Sequence, residues 1–325
     1  MSNLSVNYMG LTLKSPIIAA SSGLTTQLDK IAAFEKAGVG AIVVKSLFEE
    51  QIVSESEFLI NQSQDYPESA DYLHHYLRSN SLEKYLKLIK DIKETVSVPV
   101  IASINCYSAG EWVEFAKEIQ AAGADGLELN IYSLPLYVLK KSEDIEKEII
   151  DVAGSVAKML KIPVAVKIAN NFTNLPGLVH SLKSRGAKGV VMFNRLFMPD
   201  IDIKKIRIIA ADAFSNEDEY LKEIRWMGIV SALVPGIDLS ASTGIHTGTT
   251  AIKQILAGAT TAQMCTALYK KGPEVIAHAN EDLLLFMDSH GFDSIADFRG
   301  KLNYSNIEFP DRFERVQFMK SFGGK

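Results

Sequence analysis

The stretch GIDLSASTGIHTGTTAIKQILAGATTAQMCT, residues 236–266, decides the fold. Its first part, GIDLSAS (236–242), reads as a short buried strand; small residues and glycines follow, then the amphipathic segment TTAIKQIL, then a second strand, TAQMCT (261–266). Strand, helix and strand in so short a span make a βαβ unit, which sets the two strands parallel. The turn around Thr243 and Gly244 exposes backbone N–H groups, and the start of the helix after it adds the positive end of a dipole. Both favour an anion such as a phosphate. Cys265 and Thr266 close the next strand with further N–H groups and a hydroxyl, and His246 is expected to lie exposed to solvent beside the anion.

The same rhythm runs outward through the chain. Strands are expected at PIIAAS (16–21), GAIVVK (ending at Lys45), VPVIASI (98–104), DGLELNI (125–131), IPVAVKI (162–168) and AKGVVMF (187–193), with helices at about 28–37, 109–123, 143–160 and 175–185. With the two strands above that makes eight, which favours a closed (β/α)8 barrel of the TIM type over an open doubly wound sheet. LSVNYMGLTL reads as a hairpin turning at Met9-Gly10 that covers the N-terminal mouth of the barrel. Residues 50–80, with Pro67, the pair His74 and His75, and no clear period, read as a long loop after strand 2 with at most a short helix. Loops of that length are often lids.

Composition narrows the function. A chain of 325 residues fits one barrel domain spanning 1–325, and the net charge of -5 arises from dispersed charges without a basic stretch, which speaks against nucleic acid. Apolar residues make up 47% of the chain, yet no run reaches the roughly 20 residues of a membrane span, and MSNLSVNYMG lacks the features of a signal peptide. The cytoplasm is the expected compartment. The two cysteines, Cys106 and Cys265, are read as reduced thiols, and the His74-His75 pair has no third ligand at a metal-binding spacing, so no metal site is expected.

Barrel enzymes build their sites where strands end and βα loops begin. Ser21, Lys45 with Ser46, Asn105 with Cys106, Asn130 with Ser133, Lys167, Asn194, Thr243 with Gly244, and Cys265 with Thr266 all fall there. Lys45 and Lys167 each end an apolar strand, where an ammonium stays in a desolvated cleft only if an anion or strong acceptor meets it.

With these residues in place the chain resembles the dihydroorotate dehydrogenase family in its soluble class 1 form. The resemblance is carried by SPIIAASSG, IVVKS, LELNIYS, VPVAVKI, ILAGATTAQMCTALYKKGP and GFDSIADFRGKL. It implies FMN as cofactor, contacted by Ala20, Ser21, Lys45, Ser46, Asn130, Lys167, Thr243, Gly244, Cys265 and Thr266, with Lys167 near the flavin ring. It also implies a small-molecule substrate met by Lys45, Asn130 and Asn194, a homodimer, and oxidation of dihydroorotate to orotate in pyrimidine biosynthesis. A separate electron-transfer subunit is compatible with the family but not indicated by these residues.

The family's strand-4 loop reads N-x-S-C-P-N, its cysteine being the base. Here Asn130-Ile131-Tyr132-Ser133-Leu134-Pro135 puts Ser133 at the base position and Pro135 where the family has a substrate-holding asparagine. The family's N-x-x-G-L-x-N loop is absent from residues 58–80. Those departures keep two further readings open: an FMN-dependent reductase of another pyrimidine-like ring, and a non-catalytic flavin-binding relative. A third, from a different class, is a phosphate-binding barrel in which Lys167 forms a Schiff base.

Overall fold

In the computed structural model, described for residues 2–48, 68–105, 109–132, 134, 136–196 and 198–314, eight parallel strands close into a barrel. They are β3 (Ile17–Ala19), β4 (Ala41–Val43), β6 (Val100–Asn105), β7 (Gly126–Asn130), β8 (Val164–Ile168), β9 (Gly189–Met192), β12 (Asp238–Ser242) and β13 (Thr261–Met264). The spatial order is β4, β3, β13, β12, β9, β8, β7, β6, and β6 pairs back onto β4. Seven of the eight are buried throughout, and β12 is exposed in part only at Asp238. This is why they read as near-continuous apolar runs: strands with helices outside and a filled barrel inside have no solvent face.

Alternation decides which side chains fill the interior. Residues paired across strands point the same way, so the register Ile101↔Gly126, Ser103↔Glu128 and Asn105↔Asn130, continued by Asn130↔Lys167 and Lys167↔Val191, marks the inward set. The lower interior is apolar, with Ile18, Ala41, Val43, Ile101, Ala165 and Val191 in one cluster with Tyr8, Met9 and Leu13. Polar side chains complete the filling, with Ser103, Glu128, Lys167, Ser240, Thr261 and Gln263 all buried.

The N-terminal hairpin closes the bottom as expected. It consists of β1 (Val6–Tyr8) and β2 (Leu11–Leu13), and Met9 (φ 57°) and Gly10 (φ 87°) take the two positive-φ positions of a type I′ turn. The Met9 N–H donates to Asp238 Oδ2 at 2.8 Å. The side chain enters where β9 begins with a glycine: a Cβ at Gly189 would come within 3.0 Å of Met9 Cγ. Met9→Ala removes this plug and is expected to cost about 2–5 kcal/mol of unfolding free energy, measurable by urea denaturation.

Three features differ from expectation. The region read as a loop over 50–80 is helical from Glu68 onward, in a helix that runs to Thr95. Its hydrophobic period emerges only after about residue 82, where Leu82, Tyr85, Ile89 and Ile92 are buried, so the first turns carry no sequence signal. An antiparallel hairpin, β10 (Pro199–Asp202) with β11 (Arg207–Ala210), follows β9 and is mostly exposed. Finally, the second barrel strand is interrupted. Val43 opposes Ile101 and Leu47 opposes Ile104, so four steps on one strand face three on the other before pairing resumes at β5 (Leu47–Phe48). The extra residue is a bulge, and it falls at Val44–Ser46, where it re-aims Lys45 and Ser46.

Candidate functional site

The C-terminal strand ends gather most of the expected residues. Ala20, Ser21, Lys167, Asn194, Thr243, Gly244, Cys265 and Thr266 line one cavity, together with Arg195, Ser215, Ser242 and Gln263. Ser46 and Asn130 are joined to it at one remove. Ser21 Oγ accepts the Ser46 N–H at 2.9 Å, and Ser46 Oγ lies 2.7 Å from Ser103 Oγ, a hydroxyl chain across three strands. The Asn194 side-chain amide donates to Asn130 Oδ1 at 2.9 Å. Lys45, half-buried in the bulge, stands beside the cavity and not in its lining. Ser133, Cys106 and Pro135 lie outside the described residues.

Lys167 reaches the cavity from β8 and is held from below. Its Nζ lies 3.7 Å from Glu128 Oε1 and donates to Gln263 Oε1 at 3.5 Å, while the Gln263 amide donates to Glu128 Oε2 at 2.8 Å. Asn105 supplies a second unusual group: it is 7% exposed, and its Oδ1 has no hydrogen-bond partner among the described residues. Buried amide oxygens are almost always paired, so an orphan at the mouth of a barrel is an acceptor awaiting a ligand donor.

The anion end is built differently from expectation. Thr243 (φ 78°) and Gly244 (φ 71°) are consecutive positive-φ residues, a rare pairing that turns backbone N–H groups toward one side. The start of the helix Gly248–Ala257 does not share in this. Thr247 caps it by accepting from the Thr250 N–H, and at Gly248 it packs so closely on the helix Glu274–His290 that a Cβ would lie 2.7 Å from Ala279 O. Thr266 takes its place at the cavity, where its hydroxyl accepts from the Ser215 N–H at 3.1 Å. His246, expected in solvent, is 2% exposed, with Nε2 2.9 Å from Ser215 Oγ. Burial pushes its imidazole below the ordinary value, so the ring is neutral at physiological pH. The partner that receives the ring, Ser215, is 31 positions away, which a single histidine in a polar loop does not reveal.

Arg195 ties the following segment over the cavity. Its Nε donates to Glu219 Oε2 at 3.0 Å, and its Nη1 donates to the carbonyls of Asp212 and Ala213 at 3.1 Å. Burial raises the Glu219 carboxyl, but the Arg195 and Asn216 donors outweigh it and hold the group below its usual range. The Cys265 thiol is pushed up by burial, with Lys167 and Ser22 opposing, so the sulfur stays protonated.

Glu223, one turn into the helix Tyr220–Leu233, is 4% exposed, and its Oε2 has no hydrogen-bond partner among the described residues. Burial, then Glu219, push its carboxyl up to about 10. A carboxyl raised above its unfolded value stabilises the fold fully below that unfolded value and loses the contribution as pH climbs toward the folded one. Glu223→Gln should therefore flatten the fall in stability between pH 5 and pH 9 and gain roughly 1–3 kcal/mol at pH 8. Urea unfolding at several pH values measures both.

A larger cavity lies at the opposite end of the barrel, against the hairpin. Its polar groups are engaged with one another: Thr260 Oγ1 donates to Asp238 Oδ1 at 3.0 Å and accepts from Arg299 at 3.0 Å. Among the described residues no cluster of His, Cys, Asp and Glu is placed to hold a metal ion, and no helix is long and apolar enough to cross a membrane.

Comparison with known proteins agrees with the geometry. The family model described as "Dihydroorotate dehydrogenase" matches residues 3–287. A protein of Aeropyrum pernix named "Putative dihydroorotate dehydrogenase A (fumarate)" is 26% identical over 304 residues, covering 91% of this chain and 96% of its own. The "Dihydroorotate dehydrogenase B (NAD(+)), catalytic subunit" of Bacillus cereus strain AH187 is 27% identical over 306 residues, covering 93% and 97%, and that of Bacillus anthracis strain A0248 aligns equally well.

Proposed function

The chain belongs to the dihydroorotate dehydrogenase family, and from that premise we propose that it is an FMN-dependent oxidoreductase acting on a CH–CH bond of a small cyclic amide, with dihydroorotate to orotate as the family's reaction. The observation that carries the reading is the convergence of Lys167, the Thr243–Gly244 turn and Thr266 on one cavity at the C-terminal end of the barrel. The residues suit the cofactor. Successive exposed N–H groups at Thr243 and Gly244, with the Thr266 hydroxyl, would hold the phosphate, and the orphaned Asn105 Oδ1 is an acceptor for a ring N–H. Bound there, FMN would supply the two-electron acceptor for a hydride.

The protein's own groups divide the remaining work. The Lys167 ammonium, in a largely desolvated position, would stabilise negative charge that accompanies the hydride. Ser133 is assigned as the base that takes the substrate proton. Asn194 and Asn130, already hydrogen-bonded to each other, would present an amide pair to the substrate, with Lys45 as the third group assigned to it. Because Pro135 stands where the family has a substrate-holding asparagine, a second reading is favoured at the level of substrate: reduction of another pyrimidine-like ring, whose loss of one amide contact the site tolerates.

The relatives' names divide between fumarate and NAD(+), and the Bacillus proteins are named as catalytic subunits. For this chain a homodimer in the cytoplasm, with or without an electron-transfer subunit, is the corresponding proposal. The test is the absorption spectrum of the purified protein followed by anaerobic titration. A yellow protein bleached by dihydroorotate supports the leading reading. A yellow protein bleached only by dihydrouracil-type rings supports the second, and a colourless protein that takes up no added FMN overturns both.

A further inference from the structure

Glu128 is a buried carboxylate that no part of the proposed chemistry uses. It enters the barrel from β7, one inward step below Asn130, and is 1% exposed. Gln263 fixes its Oε2 at 2.8 Å, while Oε1 has no hydrogen-bond partner among the described residues and faces the Lys167 ammonium at 3.7 Å. Lys167 in turn donates to Gln263 Oε1 at 3.5 Å, so three side chains from β7, β8 and β13 form a closed triangle at the wall of the cavity, which Lys167 and Gln263 line. Ala165 and Val191, opposite Glu128 and Lys167 in the strand register, are apolar and buried, so apolar residues fit this interior. Burying a carboxylate and an ammonium is costly, and packing alone is served as well or better by hydrophobic residues.

We propose that Glu128 is a positioning residue: with Gln263 it fixes the height of the Lys167 ammonium and offsets part of its charge, so that it sets how strongly Lys167 favours the reduced flavin. The inference rests on the flavin reading above. An unopposed ammonium at the cavity floor would stabilise added negative charge more, and the opposing carboxylate restrains this. Glu128→Gln is the probe, because the amide keeps the size of the side chain and removes only the charge.

Two measurements decide it. The first uses protein freed of flavin, in urea unfolding of the wild type, Glu128→Gln, Lys167→Met and the double variant. Each single change leaves one buried charge without its partner and should lower the midpoint, and the double variant should recover much of the loss. The second equilibrates the flavin-loaded proteins anaerobically with a reference dye. A unit charge at a separation of about 10 Å, at an effective dielectric near 20, corresponds to a factor of roughly ten in an equilibrium constant. Glu128→Gln should therefore raise the ratio of reduced to oxidised flavin about tenfold at a fixed dye ratio, and Lys167→Met should lower it. Strictly additive unfolding effects overturn the holding role. Coupled unfolding with an unchanged flavin ratio reduces Glu128 to a structural residue and overturns the tuning role. A protein that binds no flavin fails the functional reading itself, and the tuning role falls with it, while the flavin-free cycle still decides whether Glu128 holds Lys167.

Discussion

Gly244→Ala is expected to yield a folded protein that has lost its flavin. The backbone at Gly244 has φ 71°, a region that costs an L-residue about 1–2 kcal/mol, and a Cβ built there would lie 2.4 Å from the Tyr220 N and 3.1 Å from the Glu219 carbonyl carbon. Those atoms are the first turn of the helix Tyr220–Leu233, which the Arg195–Glu219 ion pair anchors at 3.0 Å. The loop is the softer partner, so the Thr243–Gly244 turn should rotate and withdraw the N–H groups that would meet the phosphate. Flavin content, read from the ratio of visible to ultraviolet absorbance, should fall by about tenfold or more, since several charge-assisted hydrogen bonds are lost together. An aspartate would add charge to the same collision, so alanine is the cleaner variant. Thr266→Val removes one hydroxyl without a steric conflict and should weaken binding by only about 0.5–1.5 kcal/mol. A folded Gly244→Ala protein with full flavin would move the phosphate away from this turn.

The barrel was legible because its signal is repeated. PIIAAS, VPVIASI, IPVAVKI and AKGVVMF are bounded by turns and buried on both faces, and the structure places β3, β8 and β9 within them and β6 over VPVIASI with one residue more, Asn105. Lys167, Thr243 and Cys265 were legible for a related reason, since a polar residue that ends an apolar strand has nowhere to point but the mouth. Glu128 and Gln263 sit one inward step deeper. Strand parity would have found them, because Glu128 shares its face with Asn130 and Gln263 shares its face with Cys265, but a search confined to strand ends passes over both. The buried state of His246 depends on Ser215, 31 positions away, and no local pattern encodes that. The helix Glu68–Thr95 begins in a polar stretch and earns its stability from burial further along, at Ile89 and Ile92.

Ser133→Ala should separate chemistry from cofactor binding. The resemblance assigns Ser133 the role of base; in the sequence it comes three positions after Asn130, which ends β7 and is hydrogen-bonded to Asn194 at the cavity. The chain that follows carries Leu136, Tyr137, Val138 and Leu139 at 75–100% exposure. If Ser133 takes the substrate proton, alanine should leave the flavin spectrum intact and slow flavin reduction by substrate about a hundredfold or more, the usual scale for a lost general base. Substrate affinity should barely change. Ser133→Cys restores the residue of the soluble family, and a thiol near pKa 8.5 ionises far more readily than a hydroxyl, so this variant should keep or exceed wild-type activity with a shifted pH profile. Stopped-flow reduction under anaerobic conditions measures all three proteins. Reduction of Ser133→Ala at the wild-type rate would send the proton through another group, and Cys106, just beyond the end of β6, is the first side chain to replace in that event.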